Sequence, residues 1–229
     1  MGFKLKVDFH THTSDDPKDY IDFSARQLID RAAERGLDAL AITNHDIVTF
    51  DSEMEGYAAA CGVILIPGVE LTLSKKHVVI INPDFRKAEG FRSLADLPAI
   101  RNGSNLIIAP HPFYPGSRCL RSQLEGHIES FDAIEFSFFY NRVINPNRKA
   151  VEAAGASGKP LVGSSDCHNI WQVGRTYSLV EAEKTIPSII AAVKKGRVEI
   201  ATTPLSMWSM CRVGINWVLG DKLNVHLRI

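Results

Sequence analysis

His10 and His12 stand two apart in the run Val7-Asp8-Phe9-His10-Thr11-His12-Thr13-Ser14-Asp15-Asp16, and two acids follow at once. On an extended chain alternate side chains share a face. The spacing therefore predicts Asp8, His10 and His12 on one side of a strand and Leu5, Val7 and Phe9 on the other. Two imidazoles side by side at a strand end suit a borderline-soft divalent cation such as zinc or manganese. Taken alone, a His-x-His pair equally describes two polar residues on a half-exposed strand.

The same pattern recurs along the chain. Leu40-Ala41-Ile42 leads to His45, and Val63-Ile64-Leu65-Ile66 leads through Pro67-Gly68-Val69 to Glu70. The polar turn Ser74-Lys75-Lys76 opens a hairpin at His77 and the run Val78 to Ile81. Leu106-Ile107-Ile108-Ala109 ends at His111 between two prolines, and Leu161 to Ser165 ends at Asp166 and His168. Scattered core or surface histidines would show no such preference for strand ends, which is where barrels gather function. The residues alone thus predict a site for more than one metal ion.

The elements that must position these residues are also marked. Ser24 and Gln27 form a capping box ahead of Leu28, Ile29, Ala32 and Ala33, and Gly36 stops that helix. A second helix is predicted from Asn147 to Ala156 with Gly158 as its stop, and a third over Ile189 to Lys195 between Pro187 and Gly196. Phe131 to Phe136 and Thr176 to Val180 complete seven strands, and residues 201–229 read as packing material. Strands alternating with helical stretches imply parallel strands in a barrel or an open sheet.

Composition sets the outer limits. The 229 residues are 45% hydrophobic and 23% charged, which fits one globular domain over 1–229. Lys plus Arg (26) equals Asp plus Glu (26), so no global field attracts extended nucleic acid or an acidic membrane. Cys61, Cys119, Cys167 and Cys211 are scattered singly, against both a disulfide framework and a zinc ribbon. No secretory signal is visible, and no apolar run approaches the roughly 18 residues of a membrane span, so a cytoplasmic location is expected.

The ordered motifs DFHTHTSDD, ITNHD, IPGVEL, KHVVI, APHP and SDCH resemble those of the PHP (polymerase and histidinol phosphatase) superfamily, over about Val7 to Val180. The resemblance implies an α/β fold, a distorted (β/α)7 TIM-like barrel, with a trinuclear divalent metal centre and phosphoester hydrolysis. It implies that His10, His12, Glu70 and Asp166 hold a first metal, and that Glu70 bridges to a second held by His77 and His111. Asp15, His45 and His168 would hold a third, with Asp16 competing for the place of Asp15. The expected cofactors are two or three ions of zinc, manganese, iron or magnesium. The long insertion that several nucleotide-cleaving members carry between the Glu70-like and His111-like motifs is missing.

Around that set, Glu135 ends a strand and suits an outer carboxylate that orients an imidazole. Arg118, Arg142, Arg148 and Arg175 follow strands at the expected mouth, and Arg118 and Arg142 are the candidates for clamping a phosphoryl group. Asp15 and Asp16 are the candidate proton donors to the leaving group. Cys167 should face the barrel wall, and His127 and His226 read as surface or packing residues. No serine elbow, Cys/His pair or aspartyl-phosphate motif calls for a covalent intermediate. The expectation is hydrolysis of a small phosphomonoester or short nucleotide through in-line attack by metal-activated hydroxide. The alternatives are a nuclease acting on oligonucleotides and a non-catalytic metal-binding regulatory module.

Overall fold

The computed structural model describes residues 4–84 and 90–223, so His226 lies outside the described residues. Nine strands follow in chain order: β1 (Lys4–Thr11), β2 (Ala39–Ile42), β3 (Ile64–Leu73), β4 (Lys76–Ile81), β5 (Leu106–Ala109), β6 (Ala133–Ser137), β7 (Leu161–Ser164), β8 (Thr176–Glu181) and β9 (Val198–Thr202). They form one sheet in the order β7-β6-β5-β4-β3-β2-β1-β8-β9, which curls into a nearly closed barrel. Strands β1, β2 and β3 run parallel, as do β5, β6 and β7. The β3–β4 hairpin, the β4–β5 pair and the β1–β8–β9 edge are antiparallel.

Helix α1 (Ala25–Glu34) carries the capping box of Ser24 and Gln27. It buries Leu28, Ile29 and Ala32 against Leu40, Ile42 and Leu65 on the outer face of the sheet. Helix α2 (Ser52–Ala60) starts at the cap of Asp51, whose side chain accepts from the Met54 amide. Helix α3 (Asn147–Ser157) stops at Gly158, which is left-handed at φ 68° as a glycine C-cap requires. Helix α4 (Ile186–Lys194) adds Ile189, Ile190 and Val193 to the central apolar cluster of Val7, Phe9, Ala41, Ile66, Val79, Ile108 and Ala133. Residues 201–229, expected as packing material, include the end of β9 and a long helix, α5 (Met207–Leu223).

The opening strand departs from simple alternation. Its register with β2 pairs Val7 with Ala39 and Asp8 with Leu40 but Thr11 with Ile42, so one extra residue is inserted between Asp8 and Thr11. A bulge of this kind re-aims the side chains that follow it. Phe9 accordingly stays in the central cluster with Val7, while Asp8 shares the register of Leu40, which packs on the helices. The expected common face of Asp8, His10 and His12 is therefore corrected: His10 and His12 meet in the barrel, and Asp8 lies behind them.

Closure of the barrel combines side-chain and backbone bonds. Strand β7 has a backbone ladder only to β6 among the described strands. Across the open seam, the Gly163 amide donates to Ser178 Oγ (3.0 Å), and the Ser178 hydroxyl donates to the Gly163 carbonyl (3.0 Å). The Ser165 amide donates to Asp8 Oδ1 (3.0 Å), and the Asp166 amide to the His10 carbonyl (2.8 Å). Gly163 has to be glycine, because a Cβ there would sit 2.7 Å from the Tyr177 carbonyl oxygen.

Candidate metal centre

The ends of β1, β2, β5 and β7 meet around the carboxylate of Glu70, which is buried and lies within β3. Its Oε2 lies 3.2 Å from His10 Nε2, 3.3 Å from His12 Nε2 and 3.1 Å from His45 Nε2. Its Oε1 faces the other way, 2.8 Å from His77 Nδ1 and 3.3 Å from His111 Nε2. Asp166 Oδ1 joins the first side, 3.5 Å from His10 Nε2 and 3.3 Å from His12 Nε2. Each oxygen of Glu70 thus has its own set of imidazoles.

Among the described residues, five groups of three donors lie close enough to hold a metal ion: His10, His12 and Glu70; His10, His111 and Asp166; His12, Asp16 and His45; His12, Asp166 and His168; and His45, Glu70 and His77. Within each group the ligand atoms lie within 4.8 Å of one another. Nitrogen and carboxylate oxygen in this mixture fit zinc, manganese or iron.

The chain spends backbone strain to aim two of these residues. His111 sits at φ 30° and Asp166 at φ 43°, positions that cost roughly 1–3 kcal/mol each for a side chain other than glycine. His111 is held there by its amide, which donates to Glu135 Oε2 at 2.6 Å. The other oxygen of Glu135 meets His10 Nδ1 at 2.9 Å, so one buried carboxylate steadies two imidazole-bearing segments.

Charges inside the cluster answer one another. Burial pushes Glu70 and Asp166 toward the neutral acid, but the surrounding imidazoles outweigh it and hold both well below the usual carboxylate range. Burial likewise works against a charged His10, yet Asp166, Glu70 and Glu135 raise it to about 10. His77 is the opposite case, since burial lowers it despite Glu70. Behind the cluster, burial raises Asp8 to about 7.

The structure brings His10, His12, His45, Glu70, His77, His111, Asp166 and His168 together and leaves Asp15 out. The Asp16 amide donates to the Thr13 carbonyl (2.9 Å), closing a turn whose tip exposes Asp15. Asp16 turns inward from the same bend. Its Oδ2 lies 2.9 Å from His12 Nδ1 and 2.8 Å from His45 Nδ1. Those imidazoles outweigh the effect of burial and hold its carboxyl well below the usual carboxylate range. Asp19, which no spacing rule singled out, places Oδ2 3.2 Å from His168 Nε2 and 3.4 Å from His45 Nδ1.

Arg118 is exposed, but its carbonyl accepts from the His77 amide (2.9 Å), which sets it on the rim beside β4. Arg142 and Arg148 are exposed, and Arg175 stacks on Trp171 at 5.0 Å. His127 stays outside the donor groups. Cys167 is buried against Leu28 and Leu40, as its alternation predicts. Among the described residues no helix is long and apolar enough to cross a membrane.

A family profile described as PHP-associated matches residues 145–198. The fold is shared with a two-domain protein from Bacteroides vulgatus containing a predicted PHP-like metal-dependent phosphoesterase, at a TM-score of 0.70 and 20% identity over 92% of this chain and 69% of that one. The fold is PHP-like. PsfC from Pseudomonas syringae has a TM-score of 0.65 at 22% identity, covering 96% of this chain and 99% of its own. The lesion-specific endonuclease PfuEndoQ from Pyrococcus furiosus has a TM-score of 0.61 at 14% identity, over 93% of this chain and 66% of that one. An uncharacterized protein of Methanocaldococcus jannaschii is 26% identical over 125 residues, 52% of this chain and 71% of that one.

Proposed function

We propose that this chain is a metal-dependent phosphoesterase that hydrolyses a small phosphomonoester or short nucleotide. The observation that carries the reading is Glu70, whose two oxygens face separate imidazole sets and so suit two adjacent cations. Bound there, divalent cations supply an activated water and neutralise phosphoryl oxygens. His10, His12, Glu70 and Asp166 would hold one ion, and Glu70, His77 and His111 a second. For a third, His45 and His168 would take a carboxylate from Asp19 in place of Asp15. Arg118, on the rim beside His77, would bind the non-reacting phosphoryl oxygens; Arg142 stands further out on an exposed loop.

A nuclease is the second reading, and the shared fold with PfuEndoQ favours keeping it. The balance of 26 basic against 26 acidic residues speaks for the smaller substrate, because tracking a polynucleotide needs a stripe of basic residues. The test is kcat/KM for a sugar phosphate, a mononucleotide and a long single strand, with zinc, manganese, iron or magnesium added, at low and moderate salt. Hydrolysis of the small esters is expected, weakly dependent on salt and abolished by chelator and by His10→Ala or Asp166→Ala. A preference for the long strand with a steep salt slope would establish the nuclease reading instead. Metal uptake without hydrolysis of any substrate would leave the binding module.

A further inference from the structure

Five imidazoles of the cluster are steadied from outside by a particular partner, and one partner differs in kind. His10 Nδ1 meets Glu135 Oε1 at 2.9 Å, and His12 and His45 share Asp16 Oδ2 at 2.9 and 2.8 Å. His168 Nδ1 lies 3.0 Å from the Asp166 carbonyl oxygen. His111 Nδ1 instead faces the buried thiol of Cys119, with Sγ at 3.4 Å. When Nε2 of an imidazole binds a cation, Nδ1 carries the ring proton and needs an acceptor. Oxygen accepts that proton well, whereas sulfur accepts weakly. The main chain of His111 is fixed by Glu135, so the thiol governs the orientation of the ring alone.

We propose that Cys119 is the positioning residue for His111, and that its soft contact makes the cation held by Glu70, His77 and His111 the most readily exchanged of the centre. The inference rests on the metal-binding reading above. Carboxylates and carbonyls raise the basicity of a ligand imidazole, and losing such a partner typically weakens metal affinity about 10–100-fold. A thiol gives less of that support, and a carboxylate in its place would give more.

The experiment loads the full chain with zinc, removes it stepwise with a competing chelator, and compares the wild type with Cys119→Ala, Cys119→Ser and Cys119→Asp. One equivalent is expected to leave the wild type first. Cys119→Ala should weaken that equivalent by up to about tenfold, Cys119→Ser should hold it at least as well as the wild type, and Cys119→Asp should tighten it, while the remaining equivalents stay put. A residue that only fills space would shift the melting temperature of all three variants without this ordered effect on one equivalent, and that result overturns the proposal. An intense sulfur-to-metal charge-transfer band in the cobalt-loaded wild type would also overturn it, since Cys119 would then be a ligand itself. A wild type that takes up no divalent cation overturns the metal-centre reading together with this one; a loaded wild type matched by every variant overturns this one alone.

Discussion

Asp15 and Asp16 are neighbours of the same type, and one turn sends them to opposite environments. Sequence spacing places an acid shortly after His12 but does not say which of two adjacent acids a bend will turn inward. Asp19 and Cys119 had no signal at all, because each reaches its imidazole through a loop and not through strand periodicity. Glu135 was legible, because it lies on a strand and its side chain follows the strand's alternation. The contrast yields a prediction. Asp15→Ala should keep its metal content and rate, as exposed substitutions stay within about 0.5 kcal/mol. Asp16→Ala should lower metal affinity roughly 10–100-fold, because His12 and His45 both lose their outer carboxylate. Metal content after dialysis, together with kcat/KM, checks the pair; equal effects from both variants would refute the assignment.

At the level of elements, the strands that deliver ligands were readable from apolar runs ending in His, Glu or Asp. The elements that deliver none were harder. Helix α2 buries only Ala58 and shows no apolar stripe, and β9 is a half-exposed edge strand. The bulge in β1 also left no mark, since it follows from pairing with β2 rather than from residue type. Gly68 is a constraint of the same origin. A Cβ there would lie 2.8 Å from Thr43 Cγ2 and 2.9 Å from the Ile42 carbonyl oxygen, so β2 and β3 pack together only over a glycine. Gly68→Ala should cost about 1–3 kcal/mol by overpacking and should displace Glu70, two residues on. Denaturant midpoint and bound metal are the readouts, and an alanine variant with both unchanged would show that the strands part freely.

For the molecule as a whole, the buried charges set a stability profile for the metal-free protein. Asp8, raised by burial from 3.8 to about 7, favours folding fully below 3.8, and that contribution is lost as pH climbs through 7. His10, raised from 6.5 to about 10 by Asp166, Glu70 and Glu135 against the pull of burial, adds a contribution that fades between those values. Glu70 and Asp166, lowered by the imidazoles, lose theirs in acid. The metal-free chain should therefore be most stable at about pH 5–6.5, with a melting temperature that falls toward pH 9 and recovers when a divalent cation replaces the imidazole protons. Calorimetry across that range decides it, and a flat or rising curve without metal would refute the profile. The seam carries a further consequence, for assembly during synthesis. Ser165 reaches back 157 residues to Asp8, and β8 pairs Glu181 with Lys4. A chain emerging from the ribosome holds His10 and His12 long before Asp166 and His168 exist to face them. The ligand set is completed only when the two distant ends of the polypeptide meet, so a filled centre certifies that the last strands have found the first.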